Sequence, residues 1–172
     1  MKVLVTGGVR SGKSRHAESV LSGSVSYVAP GPSTDEDSDP DWAARIVAHR
    51  ARRPANWTTV ETRDLTAALR LDGPVLVDCL GTWLTGVLDS QALWDAGSEA
   101  VTAVVDGLLD EVVEILAARD DVVLVTNEVG LGVVPAHRSG RLFRDLLGLV
   151  NQRIATACDE VHLVVAGRVL RL

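Results

Sequence analysis

Lys2-Val3-Leu4-Val5-Thr6-Gly7-Gly8-Val9-Arg10-Ser11-Gly12-Lys13-Ser14 is the stretch that decides the fold. Residues 2–6 form a short apolar run of strand character. Residues 7–14 then match G-x-x-x-x-G-K-S/T and lead into a helical segment, the strand-loop-helix setting this motif requires. The chemistry dictates these residue types. Glycines let backbone N–H groups close around phosphate oxygens, and the following helix N-terminus turns partial positive charge toward the same anion. Gly7, Gly8, Val9, Arg10, Ser11, Gly12, Lys13 and Ser14 are therefore expected to bind a nucleotide. Lys13 should reach the β and γ phosphates, and Ser14 should ligate Mg²⁺. Only two lysines, Lys2 and Lys13, stand beside fifteen arginines, so a chance lysine at this position is improbable. No acidic residue occurs from Met1 to Arg15, whereas Arg10, Lys13 and Arg15 are cationic. A local anion site thus sits in a chain of net charge −6.

Outward from this loop, Val-rich apolar runs recur at Val25 to Ala29, Val75 to Asp78, Val122 to Thr126 and Val161 to Val165. They read as strands buried on both faces. Between them lie helical periods. In Ser98 to Arg119 the residues Val101, Val104, Val105, Leu108, Leu109, Val112, Val113 and Leu116 mark one apolar stripe. Leu142, Phe143, Leu146, Leu147, Val150 and Ile154 mark another before the Val161 run. Repeated strand-helix alternation predicts an α/β fold of the P-loop NTPase kind, a mostly parallel central sheet with helices on both faces. The 172 residues, 47% of them hydrophobic, suffice for a single domain over 1–172, and no repeat or linker divides the chain. No apolar run is long enough to span a membrane and no signal peptide is evident, so a cytoplasmic protein without membrane insertion is expected. The acidic balance and an aromatic content of 3% disfavour nucleic acid as a partner. Cys79 and Cys158 read as reduced, buried thiols, and no Cys/His spacing suggests zinc.

A P-loop needs a second carboxylate to hold magnesium, usually at the end of a neighbouring strand. Asp78 closes the run Val75-Leu76-Val77 and supplies it. Glu128 follows Val122 to Thr126 at the strand edge where open α/β sheets bind ligands, and could act as a base or orienter. Asp41 to Arg53 has helical character with Asp41 as its expected cap, placing Arg45 and His49 four apart on one face. An arginine beside a neutral imidazole suits attack on phosphorus, although such a histidine can equally be a solvated surface residue. His16 reads as structural, and His137 and His162 belong to no evident constellation. Pro30 to Asp41, with five carboxylates and no basic residue, reads as a mobile surface loop, or alternatively as a lid.

Several collinear segments extend the reading over essentially the whole chain: Gly7 to Glu18, Ala44-Arg45-Ile46 through His49 to Arg53-Pro54, Trp57 to Glu61, Asp78-Cys79-Leu80 with Thr82-Trp83-Leu84, and Val125 to Gly130. Val134-Pro135, Arg138, Phe143-Arg144-Asp145 and Val150 to Arg153 continue the series. Together they resemble the bifunctional adenosylcobinamide kinase and adenosylcobinamide-phosphate guanylyltransferase family. The resemblance implies an enzyme of cobalamin biosynthesis that takes a corrinoid and a nucleoside triphosphate, GTP or ATP. It would phosphorylate the aminopropanol hydroxyl of adenosylcobinamide and then transfer GMP from GTP to that phosphate. The family's guanylylated histidine matches His49. Its other nucleotide contacts correspond to Pro30, Gly31, Pro32, Arg45, Arg53 and Glu61, and its homotrimeric assembly carries over as an expectation. Two rivals remain at this point: a small-molecule kinase without covalent histidine chemistry, and a nucleotide-dependent switch.

Overall fold

The computed structural model describes residues 1–33 and 39–172. The expected Pro30 to Asp41 loop falls partly on residues 34–38, which lie outside the described residues. Seven strands form one sheet in the order β3-β2-β4-β5-β1-β6-β7. They are β1 (Lys2–Gly7), β2 (Ser26–Ala29), β3 (Thr58–Glu61), β4 (Val75–Asp78), β5 (Val122–Val125), β6 (Glu160–Val165) and β7 (Arg168–Arg171). All neighbours are parallel except β6 and β7, which form an antiparallel hairpin. The predicted α/β architecture is what folds.

Side chains alternate across the sheet with the period of two that strand geometry imposes. Leu4, Val75, Val77, Val122 and Leu124 face one core with helices α3 (Leu65–Leu69), α4 (Leu80–Ser90), α5 (Ser98–Ala117) and α6 (Arg138–Ala157). Val3, Val5, Leu76, Val123 and Val125 face the other, where Ala17 of α1 (Lys13–Val20) and Tyr27 pack. The α5 stripe buries Val101, Val105, Leu109, Val112 and Leu116. Val104, Leu108 and Val113 are half-buried at its margins. On α6 the buried residues are Leu142, Leu146, Leu147, Val150 and Ile154, with Phe143 half-buried.

Helix α2 (Pro40–Arg52) differs in its start and in its seating. Its cap is Asp39, not Asp41: the Asp39 carboxylate accepts from the Asp41 amide at 2.9 Å, and Pro40 takes the first helical position. Proline there loses only an N–H that would be unpaired anyway. No residue of α2 is buried. Contacts at its rim hold it instead, including Trp42 Nε1 donating to the Pro32 carbonyl at 2.9 Å and ion pairs of Arg52 with Glu18 and Arg50 with Glu61. Among the described residues no helix is long and apolar enough to cross a membrane.

Candidate active site

Because β1, β2 and β4 run parallel, their C-terminal ends open on one edge of the sheet, and that edge carries the chemistry. The turn after β1 closes with Gly12 at φ +96°, immediately before α1. A side chain would be strained in that backbone, and a Cβ there would also lie 3.4 Å from the Cα of Gly167. The β6–β7 hairpin tip therefore rests on the loop, and the Gly167 amide donates to the Ser11 carbonyl at 2.8 Å. Lys13 folds back so that Nζ donates to the Gly8 carbonyl at 3.1 Å. Burial pulls its ammonium below the ordinary value, against the opposing influence of Cys79 and Asp78. The Ser11 hydroxyl is buried and lacks a hydrogen-bond partner among the described residues. An unpaired polar atom in such a loop is what a site built for an anion leaves behind.

Asp78, at the end of β4, links this loop to α2. Its side chain is 8% exposed, and its Oδ2 lies 2.8 Å from the Tyr27 hydroxyl, which donates to it, and 3.6 Å from His49 Nδ1. Burial alone would raise this carboxyl. Interactions with His49 and hydrogen bonds from Tyr27 and Ser14 outweigh burial and hold it below the usual carboxylate range. Asp78 is thus an ionised group reaching Ser14 of the phosphate loop and His49 of α2 at once. The Tyr27 hydroxyl is also 3.4 Å from His49 Nδ1.

These groups share a cavity of about 680 Å³, within the range of small-molecule sites. The cavity brings together Val9, Arg10, Ser11, Gly12, Lys13, Ser14, Gly31, Pro32, Arg45, His49, Arg53, Glu61 and Asp78, all expected from the sequence. Gly7, Gly8 and Pro30 are not among the lining residues, although Gly8 contributes the carbonyl that holds Lys13. Cations dominate: Arg10, Lys13, Arg15, Arg45, Arg50, Arg52 and Arg53 face Glu61 and Asp78 as the described carboxylates. A basic concavity of this kind in an acidic protein concentrates a polyanion such as a triphosphate.

Glu128 does not join them. Its Oε1 accepts from the Gly130 amide at 2.9 Å, and Asn127 lines the cavity in its place. The donor belongs to the short turn that follows β5. Sequence reading also missed Tyr27, Trp42, Thr59, Thr82 and Gly167, which line the cavity. Tyr27 carried a usable signal, being the sole tyrosine and lying near the end of a strand; Gly167 carried none.

Two other expectations change. His16 and His162, read separately, meet through Nε2 and Nδ1 at 2.9 Å, and His162 Nε2 lies 2.6 Å from a Glu160 carboxylate oxygen. Burial first, then His162 and Arg171, lower His16. Cys79 and Cys158 are free thiols, as expected, but half-buried rather than sealed in the core.

Comparison with known proteins agrees with the geometry. A sequence model of the family described as cobinamide kinase / cobinamide phosphate guanyltransferase matches residues 3–172. A Salmonella typhimurium protein named bifunctional adenosylcobalamin biosynthesis protein CobU is 44% identical, with 97% of each chain covered. The Escherichia coli protein of the same name is 42% identical over 97% of each chain. A Pseudomonas aeruginosa protein, bifunctional adenosylcobalamin biosynthesis protein CobP, is 40% identical over 97% of this chain and 94% of its own.

Proposed function

The chain belongs to the cobinamide kinase / cobinamide phosphate guanyltransferase family, and from that premise we propose that its one domain, residues 1–172, runs two phosphate-transfer reactions in a single cavity. In the first, the aminopropanol hydroxyl of adenosylcobinamide attacks the γ-phosphorus of ATP or GTP and the nucleoside diphosphate leaves. The amides of residues 8–14 and the Lys13 ammonium take up charge on the phosphate oxygens, and such preorganised donors supply most of the acceleration in phosphoryl transfer.

In the second, a nitrogen of His49 attacks the α-phosphorus of GTP and pyrophosphate leaves toward the phosphate loop. The phosphate of adenosylcobinamide phosphate then displaces His49 from the covalent histidine-GMP, giving adenosylcobinamide-GDP. Dividing the transfer in two spares the cavity from holding GTP and a bulky corrinoid in one reacting complex. Arg45 and Arg53 bind the phosphates in this reading, and Glu61 meets the rest of the nucleotide; their place in the cavity lining supports it.

Ser14 and Asp78 suit Mg²⁺, because a hydroxyl and an ionised carboxylate already in contact make up the small protein share of a magnesium shell completed by phosphates and water. When bound, the ion supplies charge neutralisation on those phosphates. Exposed Leu131, Val133 and Val134 support assembly with further copies, for which the resemblance implies a homotrimer. A cytoplasmic location suits an enzyme fed by nucleoside triphosphates.

The observation that carries this reading is Asp78 reaching Ser14 and His49 together, which puts a triphosphate loop and a nucleophile around one cavity. The test is incubation with α-labelled GTP and Mg²⁺ followed by denaturation. Acid-labile, alkali-stable label on His49 is expected, absent in His49→Ala while that variant keeps much of its kinase activity. Unlabelled wild-type protein that still phosphorylates cobinamide would leave a simple kinase, and neither label nor corrinoid-dependent turnover would leave a switch.

A further inference from the structure

We propose that Tyr27 is a positioning residue for guanylyl transfer: its hydroxyl, anchored on Asp78, orients the His49 ring with the proton on Nδ1 and leaves Nε2 as the attacking atom. The inference deepens, and rests on, the covalent role of His49 proposed above.

Donor and acceptor accounting carries it. A tyrosine hydroxyl has one proton and two lone pairs, and an ionised carboxylate can only accept. The Tyr27 proton goes to Asp78 Oδ2 at 2.8 Å. Toward His49 the hydroxyl therefore has only lone pairs to offer. Both groups facing Nδ1, the Tyr27 oxygen at 3.4 Å and Asp78 Oδ2 at 3.6 Å, are acceptors. The ring nitrogen that fits them is one bearing hydrogen, and the partner of one imidazole nitrogen decides the state of the other. The Tyr27 oxygen is the nearer of the two and holds that proton, while the carboxylate at 3.6 Å acts on the ring as a charge partner.

The tyrosine is itself fixed. It is 1% exposed, the Arg53 guanidinium carbon lies 3.4 Å from its ring centroid, and the Trp57 ring packs at 6.5 Å.

The step balances without another proton carrier. The Nε2 lone pair forms the bond to the α-phosphorus as the bond to the bridging oxygen breaks, and pyrophosphate leaves with that electron pair. The ring becomes cationic, its Nδ1–H facing the Tyr27 oxygen and the Asp78 carboxylate. An oxygen of the acceptor phosphate then bonds to the same phosphorus, the P–N bond breaks, and its electron pair returns to Nε2. The Nδ1 proton stays throughout.

Tyr27→Phe tests this, since it keeps the ring, the Arg53 stacking and the core volume. Single-turnover labelling of His49 by α-labelled GTP should slow roughly tenfold or more, the factor carried by one hydrogen bond to a group that becomes charged, with the GTP concentration for half-maximal rate unchanged. Long-range proton-nitrogen NMR of nitrogen-15-labelled protein reads the tautomer directly: wild type should show His49 protonated on Nδ1, and Tyr27→Phe a mixture. An unchanged labelling rate, a loss of rate restored by raising GTP, or Nε2–H in wild type would each overturn the proposal. Wild-type protein that takes no label at all would instead strike the covalent reading beneath it.

Discussion

Gly7 and Gly8 are adjacent in the phosphate loop, yet replacing each with alanine should give opposite results. A Cβ on Gly7 would lie 2.7 Å from Ser11 Oγ and closer still to the Val164 carbonyl oxygen. That carbonyl cannot yield easily, because Gly7 pairs with Val164 in the β1–β6 ladder and β6 is held on its other edge by β7. Normal contact lies near 3.5 Å, so about 1 Å of overlap must be relieved by moving the loop. Overpacking of this size costs about 2 kcal/mol, which lowers the melting temperature of a chain this long by about 4–8 °C. A Cβ on Gly8 meets nothing within 4 Å, and Gly8→Ala should melt within about 1 °C of wild type, as surface substitutions do. Thermal unfolding followed by circular dichroism, with and without GTP, measures both; the Gly7 variant should also gain less from GTP, because its loop has moved. A Gly7→Ala protein melting with wild type, or a Gly8→Ala protein losing as much, would refute the claim that the β6 carbonyl sets the loop position.

Lys13→Ala should cut both the kinase and the GMP-transfer rates by on the order of a hundredfold, the loss typical of one preorganised charge-stabilising group; steady-state turnover for each reaction checks it, and full retention of either removes the loop from that step. A second test concerns Cys158, whose thiol is pushed up to about 12 by burial and by Asp159. Folding favours the neutral thiol, so above the unfolded value near 8.5 the unfolded chain loses protons the folded one keeps, and stability attributable to this group falls by about 1.4 kcal/mol per pH unit. Urea unfolding between pH 8 and 11 should therefore show a shallower decline for Cys158→Ala than for wild type, and parallel curves would contradict the assignment.

How far the sequence could be read depended on what shaped each segment. Strands β1, β2, β4, β5 and β6 are packed on both faces, so their apolar runs announced them. The edge strands β3 and β7 were not read, because Thr58–Glu61 is mostly exposed and Arg168–Arg171 wholly so, leaving no burial to imprint a pattern. Helix α4 was missed for the opposite reason. With Leu80, Gly81, Trp83, Leu84, Gly86, Val87 and Leu88 all buried, only the narrow stripe of Thr82, Thr85 and Asp89 is left polar, too little to mark a helical period against the apolar background. At the site, Lys13, Ser14 and Asp78 were legible because their chemistry restricts residue type, whereas His49 stood out only through the family resemblance. Tyr27 and Gly167 meet the site through contacts made only by the fold, and the Gly130 amide that engages Glu128 is likewise set by a local turn rather than by strand position.

The clasp between the β6–β7 hairpin and the phosphate loop also orders events in time. Ribosomes add residues from the amino end, so residues 7–12 emerge about 155 residues before the Gly167 amide that holds Ser11. Contacts so distant along the chain form late and slowly. A nascent chain therefore exposes its phosphate-binding signature long before that loop can be locked, and its capacity to grip a triphosphate matures only when the hairpin has been translated and has closed.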